Sequence, residues 1–312
     1  MATTKAQLLP LTGIRFFLVL WILIFHQTVG GGFLVMLLPQ LPDTVTSVVK
    51  AGNLAVGLFY VLSGFVLSYN HSLATSWNSS RLIRFGVARF ARIYPAYCFG
   101  LMLVAPFVGY SIVKGFSMVR LAKAAGVAFL QWTLLQSWIP KFALAWNPPG
   151  WSLSNEAFFY LCFPFVGVLL WKLSRLKSLF IAGLILCAAA SIVPLLIRAM
   201  FLRDLPANSP EFFWEFVIRY NPLVNLPDFC IGILIGRAYQ QLCERKSSLL
   251  GHGYWLYVPG LLLELLLIAY PTILPQSYDA LRLPLHSLFI LGLALGGGIF
   301  ARFLSGSEQE FD

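Results

Sequence analysis

The chain has 312 residues, of which 59% are hydrophobic and 11% charged, against about 45–50% and roughly 25% in soluble globular domains. So apolar a composition excludes a water-soluble enzyme, because the apolar surface must face something other than solvent. The 22 Lys and Arg against 12 Asp and Glu give a net charge of +10, but this charge sits beside apolar runs and forms no aromatic-interleaved basic groove, which argues against a nucleic-acid partner and for membrane topology.

Nine apolar segments follow one another near residues 14–38, 53–70, 93–113, 121–139, 155–171, 178–200, 222–240, 254–274 and 284–304. Most are close to the roughly 20 residues that a helix needs to cross the hydrocarbon. They are continuous rather than alternating, and backbone groups in lipid must be satisfied internally, so helices are expected and not a barrel. The expected fold is all-α, a polytopic transmembrane helix bundle of about 8–10 membrane segments in a single membrane-embedded domain over residues 1–312. The first run lacks a small-residue cleavage pattern and is expected to stay in the protein.

The first segment carries Arg15 and His26. Eleven residues at about 100° each come within roughly 20° of three whole turns, so the two share a helix face, about 16 Å apart along the axis. An ionisable group that deep in a bilayer points to a lined cavity, the alternative being an Arg that snorkels and a His bonded to a neighbouring helix. The second segment contains Gly57, Ser63 and Gly64, small residues that let helices approach closely. Ser63 either bonds a polar group inside the bundle or is back-bonded to its own helix.

Next come Arg81, Arg84, Arg89 and Arg92, followed by Ile93-Tyr94-Pro95. Helical spacing puts several guanidiniums on one side of an amphipathic stretch, suited to a phosphate-bearing ligand or to lipid headgroups. Segment 121–139 carries Lys123, Gln131 and Gln136. The turn Asn147-Pro148-Pro149-Gly150-Trp151-Ser152-Leu153-Ser154-Asn155-Glu156 reads as a helix start with Ser152 or Ser154 as the cap. Glu156, a carboxylate entering a span after a rigid turn, is a candidate catalytic or His-orienting group. Further on, Glu264 stands in the middle of an apolar run, expected to pair with a buried Arg or to stay protonated, and Asp228 and His286 near span ends are expected to make structural bonds.

Basic residues set the orientation. Arg81 to Arg92, then Lys172, Arg175 and Lys177, then Arg237, Arg245 and Lys246 are expected on the cytoplasmic side, together with the N-terminus. This parity demands an odd number of crossings between 92 and 140, where two apolar segments lie, so 121–139 is the candidate re-entrant segment. A simple nine-span count is the competing reading. The five cysteines are odd in number and show no CxxC spacing, which fits packing residues better than disulfides or metal ligands. The four histidines have no ligand-like spacing, and no metal is expected.

Four motifs in order give the chain a resemblance to the acyltransferase-3 family of membrane proteins. Leu11, Gly13, Arg15 and His26 match its opening Leu-x-Gly-x-Arg with a following His; Tyr60 to Phe65 match its Ser-Gly-Phe segment, with Phe59 beside it; Arg89 to Pro95 match Arg-x-x-Arg-Ile-Tyr-Pro; Trp151 to Glu156 match Trp-Ser-Leu-x-x-Glu, with Phe159-Tyr160 and Pro164 after it. Leu226-Pro227-x-Phe229-x-x-Gly232 also fits, so the resemblance covers most of the chain. Members usually continue into a further span with a Ser-Tyr and a late Leu-His pattern, whereas this chain stops at Asp312, and a C-terminally short form is expected.

The resemblance implies an enzyme that transfers acyl groups other than amino-acyl groups, from cytoplasmic acyl-CoA to a carbohydrate or cell-envelope glycan hydroxyl, with acetyl as the expected group. It implies His26, Glu156 and Arg15 as catalytic, Arg15, Arg84, Arg89, Arg92 and Tyr94 as holding acyl-CoA, and Ser63, Gly64, Trp151 and Ser152 as supporting the substrate. It implies acyl-CoA as donor substrate with no permanently bound cofactor, and an integral, multi-pass location in the inner or plasma membrane. A transporter or flippase of an anionic or lipid-linked solute, or an inactive membrane scaffold, are the other classes weighed, although no inverted repeat supports the former.

Overall fold

A computed structural model describes residues 8–29, 32–71, 77–114, 117–202, 213–271, 273–274 and 281–306; the C-terminal tail from Ser307 to Asp312 and residues 203–212 of the polar stretch at 201–221 lie outside the described residues. These form twelve α-helices: α1 (Leu9–Val29), α2 (Asp43–Lys50), α3 (Leu54–Asn70), α4 (Ser79–Lys114), α5 (Met118–Trp132), α6 (Gly150–Trp171), α7 (Leu176–Phe201), α8 (Phe213–Tyr220), α9 (Pro222–Glu244), α10 (Tyr254–Ala269), α11 (Leu283–Leu295) and α12 (Gly298–Ser305). Short 3₁₀ turns occupy Phe33–Gln40, Gln136–Trp138 and Pro140–Phe142. No strand occurs among the described residues, and each apolar segment of the sequence contains an α-helix, although α5 stops at Trp132, inside the segment 121–139.

By length and apolar composition α1, α4, α6 and α7 are each sufficient to cross a membrane, and the bent pairs α2–α3 and α11–α12 bring the number among the described residues to as many as six. α7 shows why the protein belongs in a bilayer. It is apolar all round, yet Phe180, Ile185 and Met200 are 67%, 63% and 71% exposed, a surface that water would penalise and lipid accepts. Pro95 and Pro106 do not end α4, which runs unbroken for 36 residues from the arginine cluster through the apolar stretch.

The chain divides into two compact units, the first of residues 1–72, 170–191 and 228–312, the second of residues 73–169 and 192–227. The first unit is built on close helix approach. A Cβ on Gly64 of α3 would lie 2.0 Å from the Phe229 carbonyl oxygen, one on Gly232 of α9 would lie 2.1 Å from that of Val61, and one on Gly236 would meet the Ser68 hydroxyl. Gly232 and Gly236 are four residues apart, the spacing that lets two helix backbones touch in lipid. The same logic joins α1 to α12, where Gly13 lies against Leu304, and α10 to α11, where Gly253 lies against Gly292. Around these seams Leu18, Val61, Leu62, Phe65, Tyr257 and Ile290 form the apolar core.

Connections within this unit fix helix directions. Trp21 Nε1 donates to the Val48 carbonyl at 2.7 Å, and Gly52 lies against Phe25, so the end of α1 meets the start of α3 and the two run antiparallel. At the other end Gln240 Nε2 donates to the Ser68 carbonyl at 3.2 Å, and the Arg237 guanidinium lies 4.0 Å from the ring centre of Trp171. The end of α3, the basic turn at 172–177, the basic end of α9 and the start of α1 therefore share one side of the unit, as a common membrane face for positive charge requires.

The second unit solves a different problem, an irregular backbone between α5 and α6. α5 ends at Trp132, Leu134 and Trp146 adopt positive φ values of 58° and 62°, and buried side chains bond the main chain in between. Gln131 Nε2 donates to the Ala145 carbonyl at 2.6 Å and to that of Phe142 at 3.3 Å. Gln136 Nε2 donates to the Gly150 carbonyl at 2.9 Å, Ser137 Oγ to that of Trp151 at 2.8 Å, and Trp146 Nε1 to that of Leu101 at 3.2 Å. Non-helical backbone is tolerated in apolar surroundings when protein groups satisfy it in this way. Gln131 and Gln136 are fully buried, which accounts for two of the polar residues in an otherwise apolar segment; Lys123 faces outward.

Candidate functional site

In the first unit, α1 carries both Arg15 and His26 as one unbroken helix. His26 is half-buried, its ring meeting that of Phe25 edge-on at 5.2 Å between centroids. Ser63 and Gly64 lie on α3, and Gly64 sits at the crossing with α9, where any side chain would strike backbone. Gly57, nearly two turns before them, faces a group that sequence reasoning did not assemble. A Cβ there would come within 3.4 Å of both Asp228 Oδ2 and His286 Nδ1, so α3, α9 and α11 converge on a carboxylate and an imidazole. Beside them Arg282 Nη1 donates to Glu264 Oε1 at 3.0 Å with the Arg282 side chain fully buried. Glu264 thus has the arginine partner that its place in an apolar run demanded.

In the second unit the basic helix and the carboxylate helix are brought together. Tyr160 of α6 donates its hydroxyl to Glu156 one turn earlier, the i, i+4 spacing that puts both on one helix face. The Arg89 guanidinium of α4 lies 5.9 Å from the ring centre of the same Tyr160 and 5.8 Å from that of Phe85. Arg81 stands 4.2 Å over Trp77, so two of the four arginines are held by aromatic faces, whereas Arg84 and Arg92 are exposed. Tyr94 is fastened by donating to the Trp132 carbonyl at 2.9 Å, and its neighbour Tyr97 donates to that of Gln131 at 2.8 Å. The motif from Arg89 to Pro95 is thereby anchored to the turn that leads into Trp151.

Capping at that turn differs from the expectation. α6 is already helical at Gly150, so neither serine is an N-cap: Ser152 Oγ donates back to the Pro149 carbonyl at 3.0 Å and Ser154 Oγ to that of Leu134 at 2.6 Å. Backbone packing sets the start, since a Cβ on Gly150 would come within 2.8 Å of the Tyr97 ring. The Trp151 ring meets that of Tyr220 at 4.9 Å between centroids. Burial raises the Tyr220 phenol above its ordinary range, against the lowering effect of the Arg219 guanidinium, so it is a protonated group at neutral pH. Arg198 and Arg219 both bond Glu215, at 3.0 and 2.9 Å, closing α7 onto α8.

Of the residues expected at the site, Arg15, His26, Ser63 and Gly64 belong to the first unit, and Arg84, Arg89, Arg92, Tyr94, Trp151, Ser152 and Glu156 to the second. Asp228, His286 and the partnership of Glu264 with Arg282 were missed as a group. The one available signal was that a lone carboxylate in an apolar run requires a cation from elsewhere in the chain.

Apolar helices with lipid-ready surfaces are those of an integral membrane protein. The chain belongs to the acyltransferase-3 family: the family described as an acyltransferase domain matches residues 10–311. It is similar to the acyltransferase MdmB of Streptomyces mycarofaciens, 26% identical over 280 residues that cover 84% of this chain and 62% of the relative. An uncharacterised protein of Haemophilus influenzae is 30% identical over 188 residues, 57% of this chain and 72% of that one. Protein 2 in the picA locus of Rhizobium radiobacter is 35% identical over 114 residues, 33% and 60% of the two. The chain therefore spans less than two thirds of the length of the first and last of these relatives. No solved structure matches it.

Proposed function

We propose that the protein moves an acyl group, acetyl in the simplest case, from cytoplasmic acyl-CoA to a hydroxyl of a carbohydrate or cell-envelope glycan. The observation that carries this reading is the array in the second unit in which Arg89 lies over Tyr160 while Tyr160 bonds Glu156, in a chain whose family is one of acyltransferases. Arg15, Arg84, Arg89 and Arg92 supply guanidiniums suited to the phosphates of the donor, and Tyr94 braces that helix. His26 takes the proton of the acceptor hydroxyl as its oxygen attacks the thioester carbonyl. The C–S bond breaks, an ester forms, and the departing CoA thiolate receives the proton. In the variant of this chemistry the imidazole first takes the acyl group itself and passes it on to the acceptor. Glu156 activates the acceptor hydroxyl, and Ser63, Trp151 and Ser152 support the substrate. The basic turns and the N-terminus lie on the cytoplasmic side of the cell membrane.

The test is release of free CoA from acetyl-CoA by membranes that contain the chain, with host glycans as acceptors. Replacing His26 by Ala should lower it about 10²–10⁴-fold with helicity retained. Undiminished release from that variant would sink the assignment of His26, and no release from the intact chain would sink the reading as a whole.

A further inference from the structure

The axes of α11 and α12 differ by 71°. α12 has 8 residues, about 12 Å at 1.5 Å each, so at that angle it adds only about 4 Å to the height of α11. It therefore does not carry α11 further across a bilayer of roughly 30 Å but turns aside. Backbone fixes the turn. Gly296, Gly297 and Gly298 take φ values of 76°, 85° and 78°, a run open to glycine without strain. The Gly253 N–H donates to the Gly296 carbonyl at 2.8 Å, and the Tyr257 hydroxyl to that of Gly297 at 2.9 Å.

Neighbouring groups place the turn on the basic side of the first unit. The Gly251 N–H donates to the Leu295 carbonyl at 2.8 Å, and Gly251 stands five residues after Lys246, just beyond the end of α9. At the far end of α12, Leu304 lies against Gly13 in the second turn of α1. Because the basic end of α9 and the start of α1 share one side, α12 lies across that side, where the headgroup layer of one leaflet begins.

The faces of α12 suit that position. Ala301 and Leu304 are buried, whereas Ile299 and Phe303, four residues apart and so on one face, are 86% and 65% exposed. The Phe303 ring lies 6.0 Å from that of Phe17, and Phe16 beside it is 66% exposed, so α1 and α12 present one apolar patch outward. Arg302 is exposed and is the one charged residue of α12, while neither α1 nor α12 contains a carboxylate. A helix that lies along a leaflet with an apolar face and an uncompensated cation is drawn to acyl chains and to anionic headgroups together.

We propose that this patch is a docking surface for an anionic phospholipid, its phosphate on Arg302 and an acyl chain against Phe16, Phe17, Ile299 and Phe303. The occupant is at hand, since a chain whose α1, α4, α6 and α7 are of membrane-crossing length and composition is surrounded by phospholipid. The surface does not depend on the acyl-transfer reading, and its test involves no CoA.

The experiment uses the full chain in nanodiscs of equal parts phosphatidylglycerol and phosphatidylcholine, with the photoreactive p-benzoylphenylalanine in place of Ile299, and mass spectrometry of the adducts. The same group in place of Phe180 of α7, which is 67% exposed, reports the bulk mixture. At position 299 phosphatidylglycerol adducts should exceed phosphatidylcholine adducts about fivefold, against near equality at position 180. Arg302→Gln, or salt raised to about 1 M, should bring the ratio at 299 close to that at 180, and Arg302→Lys should keep most of the preference, both variants at unchanged melting temperature. Equal adducts of the two lipids at 299, or a preference indifferent to Arg302→Gln, would overturn the proposal. So would adducts at 299 to a second copy of the chain or to its own C-terminal residues in place of lipid, or no adduct at 299 where position 180 gives them.

Discussion

The two units hold polar chemistry inside apolar surroundings by opposite means. In the first, helices are pressed together at glycines until backbones touch, and the few charges between them are matched in pairs, as with Glu264 and Arg282. In the second, an irregular turn is suspended from Gln131, Gln136, Ser137 and Ser154, and arginines rest on aromatic faces. Close packing leaves no tolerance for added volume but needs few polar groups, whereas side-chain bonding tolerates volume and fails when a single donor is lost. Each unit should therefore break in its own way.

The largest effect is expected at the buried ion pair. Arg282→Ala leaves Glu264 as an unpaired buried charge and should cost about 3–5 kcal/mol, while joint replacement of both by Leu and Met should recover most of that; denaturant titration in mild detergent reads both. A double variant no more stable than Arg282→Ala would show that the pair is not what stabilises that region. Second comes Gly232→Ala, whose methyl meets the Val61 carbonyl at 2.1 Å; overpacking should cost about 1–3 kcal/mol by the same titration. In the second unit Gln131→Leu, of similar volume, strands the Phe142 and Ala145 carbonyls and should cost about 1–2 kcal/mol, with faster proteolysis between α5 and α6 as the local sign. Smallest in stability is Arg84→Ala. Arg84 is exposed and bonds only the Ser80 carbonyl of its own helix among the contacts described for it, so stability should change by less than about 0.5 kcal/mol, whereas the concentration of acyl-CoA needed for half-maximal CoA release should rise.

What the sequence disclosed follows the range of the interactions. Apolar runs gave the helices because the requirement is local, about 20 residues without a charge, and Glu156 with Tyr160 was within reach of helical spacing. The start of α6 was misread because capping statistics describe solvated helix ends, while here Gly150 packs on Tyr97 and the serine hydroxyls bond carbonyls elsewhere. The meeting of Gly57, Asp228 and His286 was out of reach because it depends on how three helices far apart in sequence cross, and no periodicity records that. Gln131 and Gln136 stood out as anomalies in an apolar segment, and the structure supplies their reason in the carbonyls of the turn.

The seam of Gly64, Gly232 and Gly236 has a consequence for how this protein varies among its descendants. No amino acid is smaller than glycine, so every missense change at these three codons adds atoms where backbone or, at Gly236, the Ser68 hydroxyl already stands. In a library of all single substitutions they should be blank columns, while the outward positions of α7 accept almost any apolar residue. The seam is a ratchet: once two helices have come this close, the lineage has no small step back.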